Sequence, residues 1–302
     1  MRGQRRSLHL QRRAAGAVLL RPQGRPGQGL GLDLPLLFSG QQLAASLVPY
    51  WNKLATNKHL GGLWPNDGDG IAQSDKEHGF PPLFAKNGYT VTDPGRFDMP
   101  ASNYNAQMGA FKSAGVEVIQ GVLPPPEFTT FWNGCAQQGY QPKCVYVGKA
   151  CEFPPAMEPL GDRAIGLTVE IWWSKDHPFN SGMTGQTSAE LAAAYEAASG
   201  RQWSMPLGFR HSLMEVVFDV LKRTQNLDDK GSIRDAVKTT NYKSIVGTID
   251  FTKGPLPNTS QTPLVIGQWA KGSKHPLEII IEGNDTAPEI PVQGEPTLMK
   301  YA

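Results

Sequence analysis

The sequence predicts an α/β fold with a parallel sheet covered by helices on both faces, and three observations indicate it. Between residues 40 and 173, stretches with helical periodicity alternate with short apolar stretches, joined by connections of a few residues. The clearest apolar stretch, 116–123, is apolar on both alternating faces, which is typical of a strand inside a parallel sheet. Glycines and prolines cluster where these elements should end.

The first predicted helix covers 41–55, because Leu43, Leu47, Trp51 and Leu54 recur at helical spacing behind turn residues. The prolines at 124–126 end one strand and preset the first turn of the next helix. The predicted strands here are 59–64, 89–92, 116–123, 143–147 and 164–173, and the predicted helices are 41–55, 71–85 with a bend at its two prolines, 103–113, 127–138 and 152–160. Ligands bind such sheets at the carboxyl ends of the strands, here the loops 64–70, 123–128, 148–153 and 173–180.

The pattern changes after residue 180. We predict helices over 187–199, 207–225 and 229–240, a strand over 245–251, an antiparallel pair over 264–270 and 277–281, and a proline-rich tail with little to bury. The helix over 207–225 carries an apolar stripe formed by Leu213, Val216, Val217, Val220 and Leu221. Such a stripe is buried against a sheet or another helix, but residues 180–254 contain only one predicted strand, which is too few to form a sheet. Either these helices pack on one another, or the sheet that they cover belongs to polypeptide outside this sequence.

Composition narrows the function classes. The 302 residues suffice for two domains, and 39% apolar with 19% charged residues is typical of a globular protein. No stretch reaches the roughly 18 uninterrupted apolar residues of a membrane-spanning helix. Seven of the 29 basic residues are arginines within the first 32 positions, which hold no acid, so the remainder is mildly acidic and unlike a nucleic-acid-binding surface.

The segment 1–38 differs from the rest of the chain. It is rich in arginine, glycine and proline, lacks lysine, and shows no amphipathic period. A basic arm or a weak export signal are two interpretations. Its composition is also typical of a GC-rich gene read in the wrong frame. We therefore expect a disordered segment that does not belong to the fold.

The loop Asp67-Gly68-Asp69-Gly70 admits three interpretations. In a phosphatase of the haloacid-dehalogenase type, Asp67 would be the nucleophile and Asp69 the general acid–base group, but that motif has apolar residues directly before the first Asp. A calcium loop would not place an apolar residue at 71. The residues favour a helix N-terminus in which Asp69 caps free amides, and this is compatible with a ligand-contacting loop.

The sequence shows no other catalytic or cofactor signature. It contains no GxSxG elbow, no GxxxxGK loop, and no HxH or HExxH pair, so we expect no cofactor. His211 is interpreted as a polar residue at the edge of a core. Cys135, Cys144 and Cys151 match no zinc spacing, and they either contain one disulfide or pack as small core residues.

Aromatic side chains stand where predicted strands end. Trp64 closes one strand, and Trp172 and Trp173 close another. Exposed tryptophans at such a rim would suit stacking on a small organic ligand, whereas buried ones would serve core packing. Glu127 and Lys149 are the charged groups nearest to this rim.

Five segments in this order resemble the type I periplasmic binding proteins, and most closely the branched-chain amino-acid-binding kind that serves ABC importers. The segments are Lys58 to Gly70 (KHLGGLWPNDGDG), Val116 to Leu123 with Pro126-Glu127, Val145 to Gly148, Gly208 to Leu221, and Gly247 to Phe251 (GTIDF). The resemblance covers roughly 39–282. It implies two α/β lobes that close on a small ligand.

By this resemblance, 39–171 and 255–282 form the second lobe, nearly whole, while 172–254 supplies only the last helices and strand of the first lobe. Residues 283–302 are a tail. The first lobe's opening strand–helix units have no counterpart, so the chain is interpreted as an amino-terminally truncated member. This interpretation accounts for the helices without a sheet.

The ligand contacts of the family carry over in part. The family often has Tyr at the position of Asp69, another Tyr near Pro124 or Pro125, and, at the position of Ala150, the carboxylate that pairs with an amino acid's ammonium. These departures favour an aromatic or carboxylate-bearing ligand over a plain aliphatic amino acid. The candidate ligand-binding residues are Trp64, Asn66, Asp67, Asp69, Leu123, Pro124, Glu127, Lys149, Ala150, Trp172 and Trp173.

The resemblance implies a non-enzymatic, periplasmic or cell-surface protein. Its partners would be a small organic ligand and the membrane permease of an ABC importer. Two other functions remain open from the residues: the phosphatase above, and the ligand-sensing domain of a receptor, which would need a transmembrane or DNA-binding segment.

Overall fold

The computed structural model describes residues 36–254 and 259–301, and the chain divides into two compact units. Unit 1 comprises 40–171 together with the chain from 265 onward, and unit 2 comprises 172–264 together with the residues before 40 that the structure describes. The resemblance ended the part of the first lobe at residue 254, whereas unit 2 ends at residue 264. Residues 1–35, which hold nearly all of the segment expected to be disordered, lie outside the described residues.

Unit 1 alternates helices and strands as expected. Its helices are α1 (Gly40–Asn52), α2 (Gly68–Gln73), α3 (Phe80–Ala85), α4 (Asn105–Ala114), α5 (Pro125–Gln137) and α6 (Pro154–Met157), followed by a 3₁₀ segment (Glu158–Ala164). The helix predicted over 71–85 is two helices. The carboxylate of Asp75 accepts hydrogen bonds from the N–H groups of Glu77 and His78, which turns the chain, and prolines then open α3.

One seven-stranded sheet organises unit 1. Its strands are β2 (His59–Leu63), β3 (Thr90–Thr92), β4 (Val118–Val122), β5 (Cys144–Gly148), β6 (Thr168–Ile171), β10 (Val265–Lys271) and β11 (Leu277–Gly283), and their spatial order is β11-β10-β6-β5-β4-β2-β3. The strands from β2 to β6 pair in parallel. Strand β10 pairs antiparallel with β6 and β11. The predicted parallel sheet and the predicted closing antiparallel pair are therefore confirmed.

Apolar strands and aromatic clusters form the core of unit 1. Every residue of β4, β5 and β6 is buried, as expected for central strands covered on both faces. Trp51 on α1 packs against Phe84 and Tyr89, with ring centroids 5.3 Å and 5.8 Å away. Burying one such large side chain contributes roughly 1.5–3 kcal/mol, so these rings help to hold α1 and α3 together.

The carboxyl-terminal tail is part of unit 1, contrary to the expectation that it has little to bury. Ile290 and Met299 are buried. The Gln268 side chain in β10 donates to the carbonyl of Thr297 at 2.8 Å and accepts from its N–H at 3.0 Å. The extended tail thereby satisfies its backbone groups against the antiparallel edge of the sheet.

Unit 2 is mainly helical. It contains α7 (Ser188–Ser199), α8 (Pro206–Arg223), α9 (Lys230–Lys238) and an antiparallel hairpin of β7 (Asn241–Ser244) and β8 (Gly247–Asp250). The two-residue strands β1 (Leu36–Leu37) and β9 (Ser260–Gln261) pair in parallel. The three predicted helices are confirmed, but the single strand predicted over 245–251 is half of a hairpin. Strand β1 lies at the end of the segment expected to be outside the fold.

The apolar stripe on α8 remains partly exposed. Of the predicted stripe, Leu213, Val217 and Leu221 expose between 40% and 46% of their surface, whereas Val220 is buried. Met214 and Phe218, which were not part of the predicted stripe, are exposed beside them at 49% and 45%. Helix α8 packs on α7, α9 and β7. These neighbours leave one apolar face uncovered, as the sequence indicated.

Two further expectations can be compared with the structure. All three cysteines are unpaired and buried, so the core interpretation is correct and the disulfide interpretation is wrong. None of the helices in the described part of the chain combines the length and the apolar character needed to cross a bilayer.

Candidate functional site

The carboxyl ends of β2, β4 and β5 meet at one edge of the unit 1 sheet, which we call the rim. The parallel register pairs Leu63 with Gly121 and Val122 with Gly148, so the loops that follow these strands leave the sheet side by side. Sequence positions 64–70, 123–127 and 149–153 therefore share this edge, as expected for a ligand-binding edge.

The loop after β2 is a helix start. Asp67 Oδ1 accepts hydrogen bonds from the N–H groups of Asp69 at 3.0 Å and Gly70 at 2.8 Å, so Asp67 caps α2. The prediction that Asp69 is the cap is wrong by two residues, because the bonded carboxylate precedes the free amides. A Cβ on Gly70 would lie 1.9 Å from the carbonyl oxygen of Pro65, so only glycine fits this turn.

Asn66 continues this loop away from the sheet. Its N–H donates to the carbonyl of Phe97 at 2.6 Å, and its Nδ2 donates to Asp98 Oδ1 at 2.9 Å. The side chain is exposed but already holds a neighbouring loop. Asp67, the nucleophile of the phosphatase interpretation, is engaged in its two capping hydrogen bonds. The described residues contain no group of three or more potential metal ligands.

Lys149 links two loops of the rim. It follows β5 with φ of 65°, a left-handed backbone conformation that residues other than glycine rarely adopt. Its Nζ forms an ion pair with Asp69 Oδ2, and the two side chains are 42% and 43% exposed. Its N–H donates to Glu152 Oε1 at 2.6 Å. The structure thus brings together two predicted site residues that lie 80 positions apart in the sequence.

A buried carboxyl pair lies behind Lys149, and sequence reasoning missed it. Burial raises the pKa of Glu170 in β6 well above its usual range, and the nearby Glu152 carboxyl raises it further. Burial likewise raises the pKa of Glu152, with which Glu170 shares a hydrogen bond. Tyr146 in β5 is hydrogen-bonded to Glu170. Each carboxyl group is therefore ionised less readily than an isolated one.

The sequence contained a signal for this pair. Glu170 is the one charged residue within the apolar stretch 164–173. A charge in a strand that must be buried on both faces needs a partner. Its partner could not be identified, because Glu152 lies in an irregular turn.

Glu127 also has a structural role. Its Oε2 accepts from Tyr104 Oη at 2.6 Å and from the N–H of Ala101 at 3.0 Å, which ties the first turn of α5 to the loop before α4. Leu123 is fully buried and Pro124 is exposed. Of these three predicted contacts, only Pro124 presents an exposed surface at the rim.

Trp64 is buried, which agrees with core packing, one of the two roles that the sequence left open for it. It exposes 1% of its surface, and its Nε1 donates to Gln120 Oε1 at 2.8 Å. Gln120 Nε2 in turn donates to Gln73 Oε1 at 3.0 Å. The indole belongs to a hydrogen-bonded chain under α2. Ala150 is also fully buried.

The tryptophan pair at 172–173 belongs to unit 2, and both side chains are buried there. Trp172 packs edge-on against Phe209, with centroids 4.8 Å apart. Trp173 packs edge-on against Trp203 at 5.7 Å, and its ring fills the space where Gly208 lacks a Cβ. These contacts anchor α8, and both rings take the core-packing role that the sequence left open beside ligand stacking.

A serine, a histidine and a glutamate also meet in unit 2 without forming a catalytic triad. Ser181 Oγ donates to Glu215 Oε1 at 2.9 Å and lies 2.8 Å from His211 Nε2. In a triad the carboxylate would orient the histidine, whereas here it accepts directly from the serine. Ser181 is 3% exposed, and Glu215 Oε2 accepts from the N–H of Ile245. The cluster joins three elements of unit 2. His211 is a half-buried polar residue within it, which agrees with the interpretation of this histidine as a polar residue at the edge of a core.

Comparisons with known proteins give the family. The family model described as "Periplasmic binding protein" matches residues 69–274. The chain belongs to this family. A comparison with curated protein sequences gives no match.

Solved structures of type I periplasmic binding proteins share the fold. A leucine-binding protein from Thermotoga maritima has a TM-score of 0.62 at 16% identity, covering 80% of this chain and 65% of that chain. A solute-binding protein of an ABC transporter from Rhodopseudomonas palustris, in complex with 3,4-dihydroxybenzoic acid, has a TM-score of 0.60 at 20% identity, covering 78% and 63%. Another from R. palustris, in complex with 4-hydroxybenzoate, has a TM-score of 0.62 at 17% identity, covering 80% and 64%. The chain therefore spans less than two thirds of these proteins' length.

Proposed function

We propose that this periplasmic binding protein is the solute-binding component of an ABC importer, and that its unit 1 rim contacts the solute. Family membership supports a binding role, and two of the structural neighbours are solute-binding proteins of ABC transporters. The observation that carries the assignment to the rim is the half-exposed Lys149–Asp69 pair, held by a strained backbone at the carboxyl edge of the sheet.

The rim favours an organic acid over an aliphatic amino acid. Lys149 is the only cation in sequence positions 64–70, 123–127 and 149–153. Its ammonium can bind a ligand carboxylate in place of the Asp69 carboxylate, since both side chains reach solvent. The neutral, buried Ala150 offers no charge to an ammonium, and the lack of such a pair removes roughly 2–5 kcal/mol of discrimination. The aromatic acids bound by two neighbours agree with this class.

We further propose that the chain is the carboxyl-side portion of a longer, extracytoplasmic protein that docks on a permease. Two observations support this proposal. The chain spans 63–65% of the length of the three neighbours described above. In unit 2, the exposed stripe on α8 has the width and periodicity of a face that covers a sheet. An exposed stripe of this kind promotes self-association.

Thermal-shift assays and isothermal titration with 4-hydroxybenzoate, 3,4-dihydroxybenzoate and leucine test the ligand class. We expect the two acids to stabilise the protein and leucine to have no effect. Lys149→Gln should weaken acid binding about tenfold or more, since a charge-assisted pair contributes roughly 1.5–3 kcal/mol.

Lys143→Gln is the matched control. Lys143 is a half-exposed lysine that pairs with Glu117 at 2.7 Å, at the opposite edge of the same sheet. Its loss should leave acid binding unchanged. Equal weakening by both variants, or binding of leucine alone, would overturn the assignment of the solute to the rim.

A further inference from the structure

A pocket lies at the edge of the unit 1 sheet opposite to the rim. It has a volume of about 280 Å³ and is lined by the end of α5, the turn that leads into β5, the end of the 3₁₀ segment and the carboxyl-terminal tail. Tyr140, one of its walls, donates its hydroxyl to the carbonyl of Val116, which stands just before β4. The pocket is therefore separated from the rim by the length of the strands.

The walls of this pocket are mainly aromatic and apolar. Trp132 and Tyr301 place ring centroids 6.2 Å apart with planes inclined at 50°. Tyr140, Cys135 and Met299 also line it, and all three are buried. A cavity of roughly 150 Å³ holds a benzene ring. The observed volume accommodates one ring with a small substituent.

The charges at the mouth are mostly positive. Arg163 lies over the Trp132 ring at 5.6 Å, where its Nη1 donates to Asn133 and its Nη2 to the carbonyl of Trp132. Its other N–H donors face no acceptor among the described residues. Lys300 is exposed and has no ion-pair partner in that part of the chain. One carboxylate, that of Asp162, opposes these two cations.

The pocket is pre-formed by hydrogen bonds that fix the tail. The N–H of Met299 donates to the carbonyl of Lys143 at 2.9 Å, and Tyr301 Oη donates to the carbonyl of Pro142 at 2.6 Å. These bonds hold the Tyr301 ring against α5 without a ligand. A ligand would therefore bind without the entropic cost of ordering this wall.

We propose that this pocket is a second binding site, which takes a small aromatic carboxylate with its ring against Trp132 and Tyr301 and its charge toward Arg163 and Lys300. The shape provides room for one ring, the walls provide apolar and stacking contacts, and the two cations select an anion. The site is independent of the solute proposed for the rim.

A ¹⁹F NMR titration with 4-fluorobenzoate tests the proposal on the full chain carrying Lys149→Gln, because this substitution weakens acid binding at the rim and leaves the pocket lining unchanged. We expect line broadening with a dissociation constant of about 1 mM or tighter for a ligand of this size. Ala136→Phe fills the mouth from an exposed position on α5 and should abolish this binding. Lys300→Gln should weaken it about two- to fivefold, the range of an exposed ion pair.

Two controls separate the pocket from the rim. Lys149→Gln should leave the pocket's binding unchanged, and 4-fluorobenzylamine, which has the same ring with the opposite charge, should bind at least tenfold more weakly. Absence of broadening in the Lys149→Gln chain, binding of equal strength after Ala136→Phe is added to that chain, or equal affinity for the amine would overturn the proposal. Binding lost in Lys149→Gln but kept in Ala136→Phe would assign the acid to the rim alone.

Discussion

Glu282 in β11 should make unit 1 less stable as pH rises, which is the reverse of the usual carboxylate behaviour. The residue is 7% exposed, and Tyr50 Oη donates to its Oε2 at 2.9 Å. Burial raises the pKa of Glu282 to about 7; the hydrogen bond from Tyr50 opposes this rise, and the nearby Glu295 adds to it. The folded chain therefore binds the proton more tightly than the unfolded chain, whose carboxyl has its ordinary pKa near 4.5.

The sign and size of the effect follow from this difference. The stabilisation is complete below about pH 4.5 and is lost as pH rises through 7, because ionisation is then penalised only in the folded state. A difference of about 2.5 pKa units corresponds to at most roughly 3 kcal/mol, and partial solvent screening reduces the expected value to about 1–2 kcal/mol. Glu282→Gln keeps an acceptor for Tyr50 and removes the ionisation, so it should stabilise unit 1 by this amount at pH 8.5 and by nothing at pH 4.5.

Urea denaturation read by hydrogen exchange of peptides from β10 and β11 measures the stability of unit 1 separately. Glu278→Gln in the same strand is the control, and its expected effect on the stability of unit 1 has the opposite sign. Burial alone would raise the pKa of Glu278, but the N–H groups of Ser273, His275 and Lys274 donate to it and hold that pKa below its usual value. That variant should destabilise unit 1 at neutral pH. A difference between Glu282→Gln and the parent chain that does not change with pH would refute the reasoning.

Three further predictions concern backbone and packing. Gly208→Ala places a Cβ 2.3 Å from the Trp173 ring and should destabilise unit 2 by about 1–3 kcal/mol in urea denaturation, whereas Gly109→Ala, in open space on α4, should stabilise unit 1 by up to about 1 kcal/mol. Asp67→Ala removes the cap of α2 and should cost about 1 kcal/mol with faster amide exchange in 68–73, while Asp67→Ser should restore most of it; equal stability of the two variants would contradict the capping role. At the left-handed position of Lys149, a glycine variant should be about 1 kcal/mol more stable than an alanine variant in the same assay, and the reverse order would contradict the strain.

Local patterns in the sequence predicted most of the elements. Apolar runs without polar alternation predicted the central strands β4 and β5, since a strand covered on both faces has no polar side. The boundaries that were missed had local causes outside the hydrophobic pattern. One example is the turn at Asp75, which divides a predicted helix in two through hydrogen bonds to its carboxylate.

The candidate site was predicted less well than the fold. Three of the four predicted loops, 64–70, 123–128 and 148–153, share one edge because the carboxyl ends of parallel strands meet there, whereas 173–180 belongs to unit 2. The sequence did not predict the contacts that each side chain makes at the rim. Trp64 points into a hydrogen-bonded chain with Gln120, and Glu127 is occupied by Tyr104. Periodicity reports whether a position is buried, but not which distant polar atom satisfies it.

The sequence by itself determined the alternation of helices and strands, the parallel sheet, the family and the apolar stripe on α8 that lacks a sheet, since each depends on the spacing of residues along the chain. Only the tertiary structure decided that Lys149 meets Asp69, that the Glu170 carboxyl lies near that of Glu152, and that the tail lines a pocket opposite to the rim. These pairs form across strands and loops. Their partners are selected by strand register and side-chain direction, which no local spacing encodes.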